Sequence, residues 1–201
     1  AIRDDKGRMV AARNSLFEPS RTAEGRRTCW IASEQGADWS NYTLEFTAWG
    51  SAGASGAGPA VLVRDERNCY WLDLTRDGGL VRYLVDAAGQ ATVQRVAAAP
   101  AIGLDADRSR HYAVTVAHDA AGLLIEVDAD ADGSIDLSYR ETEEQALRTF
   151  SAGGIAFRGD APAKAGALRY DNISVTLAQA ARPMAVPRLA DTAWSVVENH
   201  G

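Results

Sequence analysis

Lysine is almost missing from this 201-residue chain: Lys6 and Lys164 are the only two among 21 basic residues, which 27 acidic residues outnumber to give a formal charge of −6. The arginines are scattered rather than clustered, so the electrostatic footprint that nucleic acid or an anionic membrane surface needs is lacking, and both partners are excluded. No apolar run approaches the ~20 residues that would span a bilayer. The two cysteines, Cys29 and Cys69, have neither CxxC spacing nor a metal-like arrangement with the three histidines, which argues against zinc or thioredoxin-like chemistry. They are either a disulfide or two buried thiols, and an extracellular setting selects the disulfide as the expectation. His111, His118 and His200 stand apart from one another, and G-x-S-x-G, H-E-x-x-H and P-loop motifs are all lacking.

What is present is apolar alternation with a period of two from residue 28 to residue 177, broken by turn residues every eight to fifteen positions. The clearest strands are Thr28–Ser33, Tyr42–Trp49, Ala60–Arg64, Tyr70–Arg76, Leu80–Val85, Ala91–Ala97, His111–His118, Gly122–Asp128, Ile135–Tyr139, Gly153–Arg158 and Leu168–Leu177. So many strands exceed what one open sheet holds, which predicts an all-β, two-sheet antiparallel sandwich. Asp77-Gly78-Gly79 and Ala87-Ala88-Gly89-Gln90 have hairpin chemistry, Gly50–Gly58 reads as a mobile loop, and Glu141–Leu147 is the one short helix expected. Residues 1–25 form an irregular N-terminal arm, 26–177 the sandwich domain, and 178–201 a linker and tail whose Trp194 is expected to dock.

Three segments recur in a recognisable order. Asp38-Trp39-Ser40-Asn41-Tyr42-Thr43-Leu44-Glu45-Phe46 opens it; Gly58-Pro59-Ala60-Val61-Leu62-Val63-Arg64-Asp65 with Cys69-Tyr70-Trp71-Leu72-Asp73-Leu74 follows; Gly153-Gly154-Ile155-Ala156-Phe157-Arg158 and Tyr170-Asp171-Asn172-Ile173-Ser174-Val175 close it. The set resembles the concanavalin A-like, laminin G-like jelly-roll domains of bacterial polysaccharide-active enzymes, and a bias toward arginine over lysine agrees with GC-rich bacterial coding. Pro59-Ala60 departs from the paired glycines usual there. The resemblance implies a secreted, extracellular module with a polysaccharide or oligosaccharide as partner, attached to a catalytic domain or partner chain.

Two motifs bear on chemistry. Asp128, Asp130, Asp132 and Asp136, set around Gly133, could converge hard oxygens on a structural Ca²⁺, with Asp160, Glu141 or Glu143 completing the shell; the other reading is an acidic hairpin turn in which Asp and Gly serve geometry alone. Glu126-Val127-Asp128-Ala129-Asp130-Ala131 partly matches the E-x-D-x-x-E of laminarinase-type retaining glycosidases, but Ala131 occupies the acid/base position, so double displacement lacks its proton donor. A sugar site needs an aromatic plane beside hydrogen-bonding forks, and Arg64, Trp71 and Arg82, with Trp39 and Arg158, are the residues that could build it on one sheet face beside the glycine-rich loop; the other reading pairs Arg64 with Asp73 and makes Trp71 a core filler. The expected function is a non-catalytic carbohydrate-interacting module, an accessory domain of a secreted glycan-degrading enzyme. Its rivals are part of the catalytic unit of a glycoside hydrolase or polysaccharide lyase, and a structural domain wrapping a partner.

Overall fold

The computed structural model describes residues 2–3, 9–11, 26–33, 36–49, 55–74, 77–104, 108–162, 169–178 and 194–197. Among them the strands are β1 (Ile2–Arg3), β2 (Met9–Ala11), β3 (Arg26–Ser33), β4 (Tyr42–Trp49), β5 (Ser55–Asp65), β6 (Asn68–Asp73), β7 (Gly79–Val85), β8 (Ala91–Ala98), β9 (Arg110–Asp119), β10 (Gly122–Ala129), β11 (Leu137–Glu141), β12 (Gly154–Pro162), β13 (Arg169–Leu177) and β14 (Trp194–Val197). One α-helix, α1 (Glu144–Thr149), follows β11, three residues later than the sequence expectation because Glu141 is still needed as the last residue of its strand. The expected loop at Gly50–Gly58 is shortened likewise: Ser55–Gly58 belong to β5, and residues 50–54 lie outside the described residues.

The strands form an antiparallel sheet in the order β11-β10-β9-β4-β13, facing a second of order β14-β3-β12-β5-β6-β7-β8; β1 and β2 make a separate two-stranded ribbon. The alternation in β4 explains the layering, since Tyr42, Leu44, Phe46 and Ala48 are fully buried while Thr43, Glu45, Thr47 and Trp49 point away from the core. Phe46 stacks on Tyr112 of β9 at 4.9 Å and meets Phe157 of β12 edge-on at 6.0 Å, so rings from both sheets interlock at the centre. β14 pairs with β3, with Trp194 opposite Ser33 in the register.

Two features shape the faces. In β5 the register slips between Val61 and Asp65, and buried Leu62 takes φ +51. Its N–H donates to the Tyr42 hydroxyl at 2.9 Å, and Gly153 lies so close that a Cβ there would sit 2.4 Å from the Leu62 carbonyl carbon. The outer faces also differ sharply. On the seven-stranded sheet Cys69, Trp71 and Asp73 point away from the inter-sheet core yet are buried, as are Ala60, Val81 and Ala156. The five-stranded sheet instead leaves Thr43, Glu45, Thr47, Trp49, Thr115, Leu124 and Glu126 partly open to solvent.

The Cys29–Cys69 disulfide is corrected by this topology. Cys29 lies on β3 and Cys69 on β6, with β12 and β5 between them. Three strand spacings separate the two by about 14 Å, twice the reach of a disulfide, whose Cα atoms lie within about 7 Å.

Candidate functional site

The five residues expected to share a sugar site are divided by the pleat. Arg82 pairs in register with Tyr70, whereas Trp71 pairs with Val81, so Arg82 and Trp71 point to opposite faces of the seven-stranded sheet. The expectation of one face carrying both is therefore corrected: Arg82 extends the inward row of Leu80 and Leu84 and remains buried. Trp71, on the outward side, is only 8% exposed and meets Tyr83 edge-on at 6.2 Å. Beside it Asp73 is ion-paired with Arg95 at 2.6 Å, and Arg95 also donates to the Gly78 carbonyl. Arg64 and Trp39 are brought together elsewhere: Arg64 Nη1 donates to the Ala37 carbonyl at 3.2 Å, in the turn where Trp39 N–H closes onto Gly36 and the Trp39 ring packs edge-on against Tyr42. Arg158 lies in β12 opposite Trp30 and Gly58.

Inside the sandwich Arg82 finds a carboxylate across the sheets. Its Nη1 contacts Glu141 Oε2 at 2.6 Å, and Nη2 reaches Glu143 Oε2 at 2.7 Å and Gln94 Oε1 at 3.1 Å. Glu141 Oε2 also accepts from the hydroxyls of Tyr70 (2.9 Å) and Tyr139 (2.7 Å), while Oε1 accepts the N–H groups of Thr142 and Glu143. Five donors thus satisfy one buried carboxylate and tie the edge of one sheet to the other. Burial pushes the Glu141 carboxyl up, but the Glu143 N–H, the two tyrosine hydroxyls and the guanidinium outweigh it and hold the pKa below its ordinary value. Burial, and then the Glu141 charge, drives the Tyr70 phenol upward. The sequence signal for this clamp was an arginine at the end of an apolar row: a buried guanidinium requires a carboxylate, and Glu141 continues the inward spacing of Leu137 and Tyr139.

The aspartate hairpin is organised by an arginine as well. Arg110 at the start of β9 grips Asp130 with two bonds, Nε to Oδ1 at 3.1 Å and Nη2 to Oδ2 at 2.8 Å. Its other N–H groups reach the carbonyls of Ala101, Gly103 and Ala129, and the guanidinium lies 5.8 Å from the Tyr112 ring centre. This pairing holds the Asp130 carboxyl below the usual carboxylate range. The remaining aspartates cap local N–H groups: Asp128 accepts from Asp132 and Gly133, Asp132 from Ser134, and Asp136 from Ala129. Asp128, Asp130, Asp132 and Asp136 therefore do not converge as a calcium shell, and no group of three metal-ligating side chains occurs among the described residues. The turn geometry, closed by a guanidinium, is the role this structure gives them.

Glu126 stands on the open face of β10 with the Ser138 hydroxyl 3.3 Å from its Oε1, and Ala131 lies in the hairpin turn at φ +51. The acid–nucleophile pair of a retaining glycosidase is not assembled on this strand.

Comparison with solved structures places the fold. The chain superposes on the exoplasmic/lumenal domain of VIP36, solved with Ca²⁺ and Man3GlcNAc bound, with a TM-score of 0.52 and 10% identity over 84% of this chain and 79% of that one. A heptameric SAP-like pentraxin from Limulus polyphemus gives 0.46 and 14% over 81% and 76%. An engineered GH43 glycoside hydrolase with endo-xylanase and exo-arabinofuranosidase activity gives 0.48 and 9%, covering 89% of this chain but 46% of that one. No protein-family model and no curated relative matches the sequence. The chain has the concanavalin A-like jelly-roll fold that its sequence resembles.

Proposed function

We propose that this chain is a non-catalytic carbohydrate-interacting module, acting outside the cell as an accessory domain of a glycan-degrading enzyme. The observation that carries the non-catalytic half is the Glu126 strand. Its row continues into Asp128, which accepts turn N–H groups, and Asp130, which is paired with Arg110, while Ala131 stands where the E-x-D-x-x-E pattern has its acid/base glutamate, so among the described residues of this strand none is placed as the proton donor to Glu126. The carbohydrate half is supported by a fold shared with a domain solved with Man3GlcNAc and by the ordered segments that resemble glycan-enzyme modules. At the aspartate hairpin the Arg110 guanidinium is the cation that pairs with Asp130.

The test is retention of the whole chain on insoluble polysaccharides, run beside a reducing-end and unsaturated-product assay on the same substrates. Binding without product supports the module. Product formation by the isolated chain would move it to the hydrolase or lyase class.

A further inference from the structure

We propose that the open face of the five-stranded sheet holds a binding site for a neutral glycan, built from Trp49, Thr47, His111, Asp171 and Asn172. The proposal rests on the carbohydrate reading above and adds to it a place and a charge class for the sugar.

Trp49 is the starting point. It is the last residue of the outward row of β4, with the core on the other side of the strand, whereas Trp39 is packed against Tyr42 and Trp71 is buried. An isolated outward apolar residue is ordinary and needs no ligand; a polar row one pleat away changes the reading. Thr47 lies in register with His111 of β9 and Asp171 of β13, so three polar side chains line up across about 10 Å, two strand spacings. They are linked already: Thr47 Oγ1 and His111 Nδ1 are 3.3 Å apart, Asn172 Nδ2 donates to Thr47 Oγ1 at 3.4 Å, and the Asn172 N–H donates to Asp171 Oδ1 at 2.8 Å. Asn172 takes φ +52 where the register of β13 shifts between Asp171 and Ser174, an irregularity that turns its amide back toward β4. A flat ring beside an amide, a hydroxyl, an imidazole and a carboxylate is the combination that meets a sugar's C–H face and its hydroxyl rim.

The charge class follows from what the face carries. Glu45, Glu126 and Asp171 make it acidic; along β13, Arg169 is the register partner of Trp49. Arg64, Arg82, Arg95, Arg110 and Arg140 are already engaged with carbonyls or carboxylates of the protein itself. A uronate would meet repulsion where a neutral sugar meets hydrogen-bonding partners.

Calorimetric titration of the whole chain with neutral oligosaccharides (xylo-, cello- and manno-series) and with oligouronates tests this. The expected result is binding to a neutral series over the uronates, weakened about tenfold or more by Trp49→Ala and several-fold by Thr47→Val and His111→Ala, at unchanged melting temperature. Binding by folded Trp49→Ala equal to the parent's, or a preference for uronates, overturns the site. Should Trp49→Ala fail to fold, Thr47→Val and Trp49→Phe decide in its place, and parental affinity in both overturns it too. A parent chain that binds none of the sugars overturns the carbohydrate reading itself.

Discussion

Replacing Glu141 by leucine should be among the most damaging single changes in the sandwich, and the reason can be worked from its five donors. The substitution leaves Arg82, 6% exposed, facing the core with Glu143 and Gln94 alone, and leaves the Tyr70 and Tyr139 hydroxyls without that acceptor. Removing one partner of a buried ion pair costs about 3–5 kcal/mol, which for a chain of this size lowers the melting temperature by roughly 10 °C. Because most of that loss is the stranded guanidinium, adding Arg82→Met to Glu141→Leu should restore stability rather than lower it further. Urea unfolding with a constant m-value is the assay. The pH profile gives a second signature. A folded-state pKa held below its ordinary 4.5 contributes stability that is present above that value and lost as pH falls through the depressed one, so the parent should lose stability below about pH 4.5 by a step that Glu141→Leu does not show. Additive losses in the double variant, or identical acid limbs, would refute the clamp.

Three further outcomes follow from the same geometry. Arg110→Ala should cost about 2–4 kcal/mol by releasing Asp130 and three carbonyls, while chelator leaves the melting temperature of the parent where it was; a chelator-dependent drop would return the aspartate hairpin to calcium. Reducing agent should not move the melting temperature, because Cys29 and Cys69 are three strands apart; a marked fall would show a bridge. Tyr42→Phe should cost about 1–3 kcal/mol in thermal or chemical unfolding, since the buried Leu62 N–H at the β5 bulge loses its acceptor, and a neutral effect would contradict that assignment.

The period-two pattern made the layering legible. Tyr42, Leu44, Phe46 and Ala48 alternate in the sequence as they do in the sandwich, and the hairpins at Gly78–Gly79 and Gly89 fall where turn chemistry put them. Register was harder to read, because it is set between strands distant in sequence. Whether Arg82 stands beside Trp71 or beside Tyr70 depends on a one-residue phase in the β6–β7 hairpin, and that phase decides between an exposed fork and a buried clamp. The closure of the aspartate hairpin was hidden for a related reason: its acidic spacing is local, but the guanidinium that pairs with Asp130 comes from Arg110 on the neighbouring strand. Trp49 showed only as one aromatic among several until the register set Thr47, His111 and Asp171 in line beside it.

The most direct test of the central claim is an array of plant, fungal and bacterial polysaccharides probed with the whole chain, with every positive spot then assayed for cleavage. The account predicts retention on one or more neutral polysaccharides with no new reducing ends and no unsaturated products. Cleavage of any retained polysaccharide, or an array without a single positive spot, would contradict it.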